Sequence, residues 1–174
     1  MHISSCCGAV SLLAIWFAAS AQTAAPARWM LTRRDVSVIS VPAEIRESLD
    51  ALEYDDSSAV RGVMVDLNGD GVKEYIIQSA PTLCGNGGCV YEIFGGASRK
   101  SLGQVFGGTL VVGGMSSHGF PNIETVSALS AESSADATYT FDGTAYEEST
   151  ARVVSGASLD SLVQALRAVP PYRP

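Results

Sequence analysis

Apolar residues change their spacing twice along the chain, which divides it into a helix, a run of strands and a second helix. In VPAEIRESLDALEY, residues 41–54, Ile45, Leu49 and Leu52 fall at i, i+4 and i+7, the stripe that one helix face presents to a core. Pro42 suits the first helical position, where its missing N–H costs nothing. From Ala59 the period becomes two: Val60, Gly62 and Met64 alternate with Arg61, Val63 and Val65. Strands are expected again over Lys73–Ser79, Cys89–Phe94 and Asn122–Ala131. Ser101–Gly114 reads as one long strand or as two joined at Gly107-Gly108, and the glycine-rich MSSHGFP, Met115–Pro121, as a loop. In ATYTFDGTAYEES, Asp142-Gly143 between Tyr139-Thr140-Phe141 and Thr144-Ala145-Tyr146 marks a hairpin, because Asp-Gly accepts the positive φ of a two-residue turn.

The last periodic segment, Ser155–Val169, is helical, with Leu159, Leu162, Val163 and Leu166 as its buried stripe, Ser158 as N-cap and Asp160 favouring the N-terminal dipole. Pro170-Pro171 ends it. The expected class is α+β: a mostly antiparallel, meander-like sheet of six or seven strands, with one short N-terminal and one C-terminal helix. The acidic motif described below occurs once, so a propeller or other repeat array is not expected.

The N-terminus changes the picture. The first 21 residues carry no Lys, Arg, Asp or Glu, and Ala9–Ala19 is an apolar run of 11, short of the roughly 20 residues that span a bilayer. Ala19-Ser20-Ala21 follows as a small-x-small cleavage signature. Residues 1–21 therefore read as a signal peptide and 22–174 as one exported domain, periplasmic or secreted. A second possible cut follows Ala27. Cys6 and Cys7 precede the apolar run, whereas a lipid-attachment cysteine follows it. Residues 22–34 look like an extended lead-in. The net charge is −7, and the only basic pairs are Arg33-Arg34 and Arg99-Lys100. That excludes nucleic acid and a polybasic membrane mode, which need clustered cations. A protein or cell-envelope partner is the expectation that remains.

Candidate chemistry centres on DLNGDGVKE, Asp66–Glu74. Asp66, Asn68 and Asp70 occupy positions 1, 3 and 5, Gly71 position 6 and Val72 position 7, the opening of a calcium loop. A tightly curled chain turns alternate side chains inward, and a hard cation takes six to eight such oxygens. The helix-loop-helix version needs Glu at position 12, where this chain has Ile77; its acid stands at position 9, Glu74. The competing reading is a tight hairpin that uses Asn-Gly-Asp-Gly for its backbone alone. Between two strands, D-x-N-x-D-G-x-x-E resembles the loops of FG-GAP and VCBS-type β domains of exported proteins, over about Val60–Ser79. The resemblance implies that Asp66, Asn68, Asp70, the Val72 carbonyl and Glu74 hold a structural Ca²⁺, with a dissociation constant of roughly 10⁻⁴ to 10⁻³ M.

Only Cys84 and Cys89 would survive signal cleavage, and an even count in an exported chain favours a disulfide. Three glycines in CGNGGC let so short a ring close. A redox pair is usually C-x-x-C, and zinc wants four ligands. Because this loop follows the acidic one, both staples are expected at one end of the sheet. Exposed aromatics such as Tyr91 or Phe120 beside the disulfide would favour a binding role.

An enzyme would have to use His118 with Ser116 or Ser117, or a pair among Glu92, Glu124 and Glu132, and neither spacing selects a site. The expected function is a non-catalytic exported binding module, inhibitor-like or protein-interacting. The alternative is a small secreted hydrolase with an acidic active site.

Overall fold

The chain passes between two sheets twice, and the second passage is a single residue, Gly108. The structure, a computed structural model, describes residues 28–55 and 59–174; the signal-peptide reading and Cys6 and Cys7 fall outside the described residues. Among them are two five-stranded sheets. The first contains β1 (Trp29–Thr32), β7 (Thr109–Ser117), β8 (Phe120–Ala128), β9 (Ser133–Phe141) and β10 (Tyr146–Ser155), in that spatial order. The second contains β2 (Ser37–Val38), β3 (Arg61–Val65), β4 (Glu74–Gln78), β5 (Cys89–Phe94) and β6 (Ser101–Gly107). All pairings between these strands are antiparallel. The 101–114 segment is therefore two strands in different sheets. A Cβ on Gly107 would stand 2.9 Å from Thr125 Cβ, and one on Gly108 3.2 Å from the Gly87 carbonyl oxygen, so this corner has no room for side chains.

The expected single meander is thus two, because alternation gives each strand a face but does not say which sheet it joins. Inward residues of both sheets, among them Leu31, Val63, Ile76, Tyr91, Ile93, Leu110, Ile123 and Phe141, form the main core. A second cluster covers the outer face of the second sheet, where Tyr75, Ile77 and Phe94 meet Ile45, Leu49, Leu52, Tyr54 and Val60. With both faces covered, every residue of β4 is buried.

The helix expected over 41–54 is shorter. It is one turn, α1 (Ala43–Arg46), followed by a 3-10 turn over Asp50–Leu52. Pro42 is the N-cap and not the first helical residue. The break falls over residues 47–49, where Ser48 Oγ, a side chain that competes for nearby backbone groups, donates to the Glu44 carbonyl. The apolar stripe survives the break, since Ile45, Leu49 and Leu52 are all fully buried.

Three other expectations shift. The lead-in contains β1, whose partner β7 lies some eighty residues away (Leu31↔Leu110). The MSSHGFP loop is a tight β7–β8 hairpin, with Ser117 opposite Phe120 and His118-Gly119 in left-handed conformations, φ 49° and 84°. The Asp142-Gly143 hairpin is present, but its loop runs over 142–145, because Tyr146 pairs with Phe141.

The C-terminal helix α2 (Gly156–Arg167) starts after Ser155, not Ser158, and none of its residues is buried. Its leucine stripe is half-exposed, because the outer face of the first sheet carries charged and hydroxyl side chains that give leucines little to pack on. Beyond α2, Pro171 bridges to Met30 on β1. No helix among the described residues is long and apolar enough to cross a membrane.

Candidate functional site: the acidic loop and the disulfide loop

The acidic loop joins β3 to β4 by curling around Asp66. Asp66 Oδ1 accepts the N–H groups of Gly69 (2.7 Å) and Asp70 (3.1 Å), and Oδ2 accepts that of Gly71 (2.9 Å). Asn68 Oδ1 accepts the Asp70 N–H at 3.0 Å, while its Nδ2 donates to Asp70 Oδ2 at 3.0 Å. Asp70 Oδ1 accepts the Val72 N–H at 2.7 Å. Gly69 and Gly71, at φ 76° and 87°, supply the left-handed turns that aim these amides inward. Backbone N–H groups thus offset much of the carboxylate charge.

Glu74 faces the other way. It is buried, its Oε2 accepting the Leu67 N–H at 2.8 Å and its Oε1 the Gly96 N–H at 3.3 Å. Gly96 presses on the loop as well: a Cβ there would lie 2.4 Å from the Lys73 carbonyl oxygen. Glu74 therefore ties the acidic loop to the β5–β6 turn. Burial pushes its carboxyl above the ordinary 4.5, two amide donors oppose the rise, and Asp70 and Asp66 add to it. Among the described residues no three His, Cys, Asp or Glu side chains converge on a common point. Every side-chain oxygen of Asp66, Asn68 and Asp70 already accepts a hydrogen bond within the loop; with the Val72 carbonyl these are oxygen donors, the type a hard cation takes.

Cys84 and Cys89 are disulfide-bonded. Inside the ring Gly85 and Gly88 exchange backbone hydrogen bonds, 2.8 and 3.3 Å. The glycines also serve contacts outside it. Gly88 lies against the Gly107 backbone, and a Cβ on Gly87 would lie 3.2 Å from the Ala128 carbonyl oxygen and 3.6 Å from the Phe106 ring. Beneath the ring, Gln78 Nε2 donates to Cys89 Sγ (3.1 Å) and to the Tyr91 hydroxyl (3.3 Å).

The two loops do not share an end of the sheet. The acidic loop precedes β4 and the disulfide ring follows it, so the five residues of β4 separate them, a span of about 17 Å. The expected aromatic rim also differs. Tyr91 is fully buried, and Phe120 packs on Phe141 and Tyr146 on the far side of the molecule. The exposed apolar residues beside the ring are Phe106 and, next to Ala128, Leu129. The signal for Phe106 lay in strand phase: it shares a face with Gln104, opposite inward Val105.

The residues weighed for catalysis stay apart. His118 Nδ1 donates to the Phe141 carbonyl at 3.0 Å, and Ser117 Oγ bonds Asn122. The neighbouring Asp142 carboxylate accepts the Ala145 and Thr144 N–H groups, which lower its pKa. Glu92 accepts from Gln104 on the second sheet, Glu124 pairs with Arg28 on the first, and Glu132 lies in the β8–β9 turn. Comparisons with protein-family models, characterised proteins and solved structures found no match to this chain.

Proposed function

We propose that this chain is an exported, non-catalytic binding module whose contact surface is the disulfide ring with its apolar rim. The observation that carries the reading is the pairing of a rigid element with exposed apolar residues: Phe106, against Gly87 of the disulfide ring, is 43 % exposed, and Leu129, which follows the Ala128 carbonyl against the same glycine, 56 %. Apolar residues gathered around a preorganised loop are what a protein partner can bury without first ordering the loop. The disulfide, with the apolar N-terminal run, supports export to an oxidising compartment.

In the same reading the acidic loop is a single FG-GAP-like calcium loop with a structural role. Asp66, Asn68, Asp70 and the Val72 carbonyl hold the ion, and Glu74 braces the loop from inside. The ion reinforces a turn that amide hydrogens already hold. An affinity capture from cell-envelope extract tests the binding role, with the Phe106→Ser/Leu129→Ser variant as its control. A partner retained by the natural chain and lost with the variant supports the reading; equal capture by both refutes this surface.

A further inference from the structure

α2 crosses the outer face of the first sheet, yet neither hydrophobic cluster includes any of its residues. Leu159, Leu162 and Leu166 are only half-buried, and Val163 is exposed. Between helix and sheet runs an open cleft of about 730 Å³. Its floor holds two ion pairs, Arg28 with Glu124 and Arg152 with Asp136, and Ser161 and Ala165 face them from the helix. Among the described residues no α2 side chain hydrogen-bonds to the sheet; Ser161 Oγ turns back to the Ala157 carbonyl.

The ends of the segment are different. At its start Gly156 is left-handed, φ 52°, with open space where a Cβ would lie. Beyond its last turn the chain is anchored to both sheets. The Met30 N–H donates to the Pro170 carbonyl at 2.9 Å, and the Tyr172 N–H to the Met30 carbonyl at 2.7 Å. The Tyr172 hydroxyl donates to the Met64 carbonyl at 3.1 Å, and its ring packs 5.0 Å from Trp29 and against the main core.

We propose that α2 is a strap, hinged at Gly156 and latched at Tyr172, whose release lifts the helix off the sheet face that bears the two ion pairs. Release also frees both Met30 backbone groups on the outer edge of β1. The strap belongs to the low-stability part of the molecule and opens without global unfolding.

Hydrogen exchange of the full chain, read by mass spectrometry, tests this. In the natural protein the amides of 157–167 exchange at least about tenfold faster than those of β8 and β9. Tyr172→Ala speeds exchange across α2 and at Met30 and leaves β4 and β5 unchanged. Tyr172→Phe, which loses only the hydroxyl bond to Met64, gives an intermediate effect. Protection of α2 equal to that of β8 in the natural protein overturns the proposal without any variant. A Tyr172→Ala effect spread evenly over both sheets, or absent, overturns it too.

Discussion

A side chain on Gly88 would place its Cβ 2.1 Å from the carbonyl carbon of Gly107. The disulfide ring therefore closes and docks through the same residue, at the point where the chain passes from β6 back to the first sheet. Gly88 also holds φ 144°, a conformation L side chains rarely adopt. Gly88→Ala combines backbone strain with a clash against backbone, and an unfolding cost of more than about 2 kcal/mol is expected. Reducing the disulfide leaves both sulfurs in place and removes only the constraint of a small loop, about 2 kcal/mol or less. Urea unfolding of the Gly88→Ala protein and of the reduced natural protein checks the order; a Gly88→Ala protein as stable as the natural one refutes the docking role.

Glu74 predicts a pH dependence whose sign follows from burial. Its carboxyl is raised above 4.5 in the folded protein, so folding favours the protonated form. The stability it contributes is complete below the unfolded value and is lost as the pH rises through the folded one. Glu74→Gln removes that slope. It also lacks a second acceptor for the Gly96 N–H, a pH-independent cost of about 1 kcal/mol. The difference in unfolding free energy between natural protein and variant should thus shrink as the pH rises from 4.5 upward. Denaturant titrations across that range test it, and a difference that grows with pH contradicts the assignment.

The calcium reading carries its own measurement. With a dissociation constant of roughly 10⁻⁴ to 10⁻³ M, about 10 mM calcium stabilises the fold by about 1.4–2.7 kcal/mol. The melting temperature rises accordingly, and EDTA reverses the rise. Asp70→Ala abolishes the response. Because the loop is already held by amide hydrogen bonds, the metal-free protein remains folded. A natural protein indifferent to calcium leaves that hydrogen-bonded turn as the whole role of the loop.

What was readable in the sequence was local. Ile45, Leu49 and Leu52 declared a buried face through spacing alone, even though the helix they implied broke into two turns. The hairpin at Asp142-Gly143 and the disulfide were legible because turn chemistry and ring closure act over a few residues. Long-range choices were not. Nothing near Trp29–Thr32 reveals a partner at Thr109–Val112, and the period of two that places Val105 inward does not reveal that β6 and β7 part at Gly108. The placement of the two loops, by contrast, was legible locally: the strand expected over Lys73–Ser79 lies between them and sets them at opposite ends of the sheet. At the acidic loop the oxygen-bearing residues were apparent, but the inward turn of Glu74 depends on Gly96, in a turn twenty-two residues later.

The two apolar stripes make opposite predictions despite similar spacing. Leu49 is fully buried between α1 and the second sheet, so Leu49→Ala leaves a cavity among Tyr75, Ile77 and Phe94. Its expected cost is about 2–5 kcal/mol. Leu162 lies half-exposed over the cleft, in neither cluster. Leu162→Ala removes little buried area and adds helix propensity, for a net effect within about 1 kcal/mol. Thermal melts of the two variants, side by side, separate a stripe that builds the core from one that only borders it. Equal losses would mean that α2 is packed as tightly as α1, and the open cleft would then not persist in solution.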